Sequence, residues 1–308
     1  MIKKISEILK TQTFRQSIIT VVATFATAGF GAVFYLLLAR LIGSRDYGLF
    51  SISTSILTLV VGVADLGMAQ GLVKFVAENS KTSLYMSYVK IALKAKLIVG
   101  LAVWAGLWLF ANPLSQLLGH PEVAPLLPIV GLGVLSMLLF ALSIYVFQGL
   151  QKFILWGGIQ IGGNIFRLVI FAILILVLKI DSFWGLLLFI SAPFFGFLVS
   201  WIWLPLGIFK APVSKGQQSQ FWNFNKWTSA FTIVSVLTSR MDILLTARFL
   251  SLSETGIYSL ATIMVAFLPQ LSSAFGAVTA PKLASFSDAK HSREYVAKAT
   301  LFSLGISI

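Results

Sequence analysis

Three ionisable side chains lie deep inside apolar runs. Arg167 stands 14 residues into the run 153–178, and Arg240 and Asp242 stand 16 and 18 residues into the run 224–250. A charge near the centre of a membrane helix costs about 2.5–3.5 kcal/mol on insertion scales, and none of the three sits close enough to an end to snorkel out. Each therefore looks into water, a partner helix or a ligand. Arg240 and Asp242 are two positions apart and face different ways, so they cannot neutralise each other within one helix. Two readings follow: a water-filled cavity carrying functional charge, or a buried structural pair such as Arg167 with Asp242. Polar residues share these faces at helical spacing. Gln160 and Asn164 precede Arg167, while Ser235 and Ser239 precede Asp242. Asp65 lies within another apolar run, nearer the inner surface, where a site role and an interfacial or capping role are both open.

The remaining chemical inventory is thin. The chain has no cysteine, which removes disulfides, thiolate metal sites and cysteine nucleophiles. Its two histidines, His120 and His291, fall in connections, and no HExxH, GxSxG or Walker sequence occurs. We expect no enzymatic centre, no metal and no cofactor. Composition sets the class: 58% of residues are hydrophobic and 11% charged, against roughly 25% charged in a soluble domain. Mean hydropathy is +0.93. A net charge of +13 would suggest nucleic acid in a soluble protein; here its placement along connections explains it, and no nucleic-acid partner is expected.

The elements that position these residues are membrane helices. About 20 apolar residues cross about 30 Å of hydrocarbon. Lipid obliges each segment to satisfy its own backbone, so the runs are read as helices despite their Val, Ile and Phe. Eight complete spans are expected at about 17–42, 47–73, 91–111, 124–150, 153–178, 182–209, 224–250 and 256–280, with a ninth starting near Tyr295 and cut at Ile308. Residues 1–16 read as a basic amphipathic helix on the inner leaflet; a cleaved signal peptide is the alternative. With the N-terminus inside, inner segments hold 17 of the 23 basic residues, Lys74, Lys90, Lys94 and Lys96 among them. Outer elbows hold Arg40, Arg45, Lys179 and Arg248. This bias predicts a multi-pass membrane protein with its N-terminus cytoplasmic.

The chain also repeats itself. Residues 37–54 read LLARLIGSRDYGLFSIST, and 208 positions later residues 245–262 read LTARFLSLSETGIYSLAT. Ala39, Arg40, Gly48, Ser51 and Thr54 meet Ala247, Arg248, Gly256, Ser259 and Thr262 without a gap. Six spans separate the copies, an even number, so the halves run parallel about an axis along the membrane normal. The same offset lays Thr20, Thr24, Thr27 and Gly31 on Thr228, Thr232, Ser235 and Ser239. Such stripes either line a cavity or let helices approach closely. The domain plan is an inner-leaflet helix at 1–16, a six-helix bundle at 17–209, a cytoplasmic linker at 210–223 and an incomplete second bundle at 224–308. A full second half would bring about 416 residues and twelve spans, so the sequence reads as a fragment or an early stop.

Three passages carry a family resemblance: the elbow LLARLIGSRDYGLFSIS with its echo, DLGMAQGLVKFVAE at Asp65–Glu78, and FQGLQKFILWGGIQIGGNIFRL at Phe147–Leu168. They resemble the polysaccharide flippases of the multidrug/oligosaccharidyl-lipid/polysaccharide (MOP) exporter superfamily, over about residues 11–308. The resemblance implies an all-α fold of two bundles in a V around a central, often cationic, cavity. It implies alternating-access export of an undecaprenyl-diphosphate-linked oligosaccharide from the cytoplasmic to the outer leaflet, for cell-surface polysaccharide such as lipopolysaccharide. A lipid diphosphate brings about two negative charges, for which arginine offers bidentate bonds. Arg167 and Arg240 are the candidates, with Gln160, Asn164, Ser235 and Ser239 for sugar hydroxyls and Asp242 and Asp65 lining the same path. The expected partners are that lipid-linked oligosaccharide, membrane lipids and a polysaccharide polymerase or other assembly proteins. A drug or cation antiporter of the same superfamily, using Asp65 and Asp242, is one alternative. A membrane glycosyltransferase or polymerase is the other, against which stand short outer segments with few acids.

Overall fold

The polar elbow after Arg40 narrows in the structure to a single residue. The computed structural model describes residues 12–265; the start of the amphipathic stretch, the end of the eighth expected span and all of the ninth lie outside the described residues. Helix α1 (Gln12–Ala64) is continuous except at Gly43, whose φ of 77° and ψ of 172° no β-branched or bulky residue adopts readily. Its apolar part, Ile18–Ala64, has 47 residues and would run about 70 Å if straight, more than twice a bilayer core. It folds back instead. Phe34 and Phe50 flank Gly43 and bring their ring centroids to 6.3 Å, where a straight helix would hold them about 24 Å apart. Two spans, an N-terminal and a C-terminal arm, thus meet at one glycine.

The remaining elements are α2 (Met68–Glu78), α3 (Tyr85–Leu109), the short α4 (Ala111–Leu117), α5 (Leu127–Gly149), α6 (Phe153–Val177), α7 (Ser182–Ser200), α8 (Lys215–Phe249) and α9 (Leu252–Val265). Among the described residues the fold is all-helical, and six helices are long and apolar enough to cross a membrane, α1 counted once. The second expected span differs from the structure. It ends at Ala64 rather than near residue 73, and Leu66 and Gly67 take left-handed φ values of 49° and 66°. The Asp65 carboxylate causes this by accepting the Ala69 amide at 2.9 Å, which starts α2 as a new helix. The sixth span also stops early, at Ser200, ahead of Pro205. Helix α8 begins at Lys215, inside the expected linker, because Ser214 and Gln217 form a capping box.

Two apolar clusters hold the bundle. One gathers Phe34, Phe50, Leu138, Phe171 and Phe189 toward the elbow end. The other gathers Phe75, Tyr88, Phe147 and Phe221 toward the basic end, with Phe75 stacked on Tyr88 at 4.7 Å. Helix α8 spans both. Val236 lies against Gly62, Asn225 against Gly71, and His120 Nε2 donates to the Ala247 carbonyl at 2.7 Å. Helix α8 therefore packs along the C-terminal arm of α1 and onto α2.

Candidate functional site

The polar face of α6 is a ladder. Gln160 donates to the Trp156 carbonyl at 3.0 Å, Asn164 to the Gln160 carbonyl at 2.9 Å, and the Arg167 guanidinium to Asn164 Oδ1 at 2.6 Å. Glycines bury this face: a β-carbon on Gly157 would press on Ala23 of α1, and one on Gly163 would press on the Ala192 carbonyl of α7. Small residues at such points let membrane helices close up. Arg167 is left 4% exposed. Its guanidinium lies 4.2 Å from the Phe34 ring centroid and 6.0 Å from that of Phe189, an aromatic surround that favours a cation. Its Nε has no hydrogen-bond partner among the described residues.

No acid answers this charge among the described residues. The ion pairs there are Arg45 with Glu122 and Lys96 with Asp65, so the Arg167–Asp242 pair left open by the sequence does not form. Asp242 instead accepts from the Tyr258 hydroxyl at 3.4 Å through one oxygen, and its other oxygen is unpartnered among the described residues. Ser235 and Ser239 are exposed on α8 and line an open groove of about 390 Å³ with Phe231, Val234 and Thr238. The Arg240 side chain lies outside the described residues. The structure thus gathers Gln160, Asn164 and Arg167 on one helix, and Ser235 and Ser239 on another. Asp65 joins neither group.

Asp65 belongs to a second charged centre. Besides capping α2, it pairs with Lys96 of α3, which is wholly buried. Tyr145 of α5 lies within its electrostatic reach. From α8, Thr228 Oγ1 donates to the Gly67 carbonyl at 3.2 Å, and the buried Asn225 amide has neither end hydrogen-bonded among the described residues. Sequence reading placed Lys96 among the connection charges. The signal that could have found it was its position five residues inside the expected third span, opposite an acid in need of a cation.

The elbows touch one another. A β-carbon on Gly48 would collide with the Leu252 carbonyl, and one on Gly256 with the Ser44 carbonyl and, at 2.9 Å, the Gly48 amide nitrogen. Gly256 and Leu252 are Gly48 and Ser44 shifted by 208 positions. Each residue meets the repeat equivalent of its partner's contact, which is the reciprocal pattern of a two-fold interface.

Folded-back spans, reciprocal elbows and charge buried mid-helix define a polytopic membrane protein with a MOP-type transporter fold. A solved inward-facing multidrug-resistance transporter of the MATE family, within the MOP superfamily, superposes with a TM-score of 0.66 over 89% of this chain and 70% of that one, at 12% identity. Residues 37–307 match the family model described as polysaccharide biosynthesis protein, and the chain belongs to that family. It is similar to the succinoglycan biosynthesis transport protein ExoT of Rhizobium meliloti, 25% identical over 295 residues, covering 94% of this chain and 56% of that protein. It is also similar to the lipopolysaccharide biosynthesis protein WzxC of Escherichia coli, 27% identical over 113 residues, 36% of this chain and 21% of that protein. The chain thus spans 56% of the length of the first of these relatives and matches 21% of the second.

Proposed function

We propose that this chain belongs to a flippase that carries a lipid-diphosphate-linked oligosaccharide from the cytoplasmic to the outer leaflet by alternating access, without chemical conversion of its cargo. The N-terminus is cytoplasmic in this reading, and the membrane is the cell (inner) membrane. The observation that carries it is Arg167: a guanidinium 4% exposed, mid-helix, with no carboxylate in ion-pair range among the described residues. A buried cation without a counter-charge is costly as structure alone. A diphosphate supplies the missing charge in a geometry the guanidinium fork matches. Asn164 and Gln160, one and two turns before it, suit sugar hydroxyls. Rearrangement of the bundles would bring the ligand to this face, and the names of the relatives support a polysaccharide precursor as cargo. The antiporter reading gains less, since Asp65 is already neutralised by Lys96.

The test is flipping of a fluorescent undecaprenyl-diphosphate disaccharide in vesicles that contain the protein. Arg167→Glu should abolish flipping while the protein still inserts and elutes as the wild type does. Undiminished flipping by that variant would remove Arg167 from the path.

A further inference from the structure

A cleft of about 420 Å³ runs between the N-terminal arm of α1 and α6. Its walls are apolar, with Val33, Leu37 and Leu41 on one side and Leu168, Ala172 and Ile175 on the other. Arg40 is the one polar side chain in the lining. The strip from Val33 to Leu41 is about 12 Å long, and the charge stands at one end of it, at the elbow. The volume is that of a small-molecule site, and the pattern is a chain-shaped apolar slot with a cationic mouth.

No ion pair among the described residues uses that cation. Arg40 is exposed and takes part in neither ion pair among the described residues. Its repeat equivalent, Arg248, lies by contrast against the Gly119 loop. Lys179, also exposed, lies just past the end of α6 and adds a second positive charge at the Ile175 end of that helix. The acid nearest to it in sequence, Asp181, is committed to capping α7 through the Trp184 amide at 3.0 Å.

We propose that this cleft holds one anionic phospholipid of the surrounding bilayer, its acyl chain between α1 and α6 and its phosphate on Arg40 with Lys179 alongside. Charge complementarity selects the occupant: the wall accepts any lipid chain, and the mouth discriminates for phosphate carried without a compensating choline. The site lies within the first bundle, so occupancy does not depend on whether the chain transports anything.

Native mass spectrometry of the purified chain, incubated with equal amounts of phosphatidylglycerol and phosphatidylcholine of matched chains, reads the site directly. One phosphatidylglycerol should be retained in preference. Arg40→Gln should reduce that preference about fivefold, the worth of one cation beside anionic lipid, and Arg40→Lys should keep most of it. Ala172→Trp, which fills the cleft, should remove the tightly held lipid of either kind. These variants alter exposed positions, and an unchanged elution profile establishes that they fold. Equal retention of the two lipids by the wild type would overturn the proposal, as would a preference that survives both Arg40→Gln and Ala172→Trp. Displacement of phosphatidylglycerol by equimolar undecaprenyl phosphate would also overturn it, by assigning the cleft to substrate.

Discussion

Lys96→Met tests whether the break in span 2 is held by charge. Lys96 is 0% exposed and Asp65 8%, so removing the ammonium strands a carboxylate whose other hydrogen-bond partner among the described residues is the Ala69 amide. Breaking one side of a buried pair costs about 3–5 kcal/mol, a loss of at least about 100-fold in the folded population at about 1.4 kcal/mol per decade. Asp65→Asn should cost a similar amount by stranding the ammonium. The double variant differs. The amide oxygen that replaces the carboxylate can still accept the Ala69 amide, and the introduced methionine fills the lysine stem's volume, so no unpaired charge remains. Replacing a buried pair by neutral groups is often close to harmless, and the double variant should therefore be more stable than either single one. Unfolding followed by tryptophan fluorescence in mixed micelles, run on all four proteins, closes the cycle. Additive losses in the double variant, or a cost below about 1 kcal/mol for Lys96→Met, would refute a charge-held break and leave packing as its cause.

Three further outcomes follow from the geometry. Gly48→Val and Gly256→Val should each lose about 1–3 kcal/mol by overpacking the same contact, and the pair together should lose less than the sum of the two in thermal melts. At α9, Ser251 and Glu254 cap each other reciprocally, at 2.9 Å and 3.3 Å. The Ser251 hydroxyl and then its amide hold the Glu254 carboxyl below the usual carboxylate range, so this cap is complete above the unfolded pKa of about 4.3 and is lost as pH falls through the lowered value. Ser251→Ala should move that loss to higher pH and speed amide exchange at the start of α9. Arg167→Met should leave yield and melting temperature near or above wild type while stopping flipping, whereas the Asp65→Asn/Lys96→Met protein should flip.

The sequence made some of this legible and hid the rest for definable reasons. Helix α6 was expected at 153–178 and occurs at Phe153–Val177, because Lys152 and Lys179 bracket an unbroken apolar run. The ladder was also readable, since Gln160, Asn164 and Arg167 sit three and four apart. The break at Asp65–Gly67 was not. The segment stays apolar on both sides of it, and although a capping role for Asp65 was open, the lysine 31 positions away that pairs with the capping carboxylate is something no local pattern reports. Counting Lys96 as a connection charge concealed the same fact from the other side: α3 begins at Tyr85, so that lysine is 11 residues into a helix. The early start of α8 was written in Ser214 and Gln217 and lost to the polar composition around them.

The repeat and the two buried cations together separate what builds this protein from what it acts on. Gly48 and Gly256 meet reciprocally, so the elbows behave as one structural device used twice. Even so, the two copies close differently: a left-handed Gly43 turns the first elbow, and a Ser251–Glu254 cap closes the second. A backbone requirement can be met by several chemistries, and here two have been used. Lys96 fits the same logic, because its charge is answered inside the fold and could be deleted together with Asp65. Arg167 does not fit it. Its guanidinium rests on Phe34 and one amide oxygen, 2.6 Å away, with no ion-pair partner among the described residues. A ring face and a neutral oxygen offset only part of the desolvation of a buried cation, and the remainder is the part we assign to the diphosphate of the cargo.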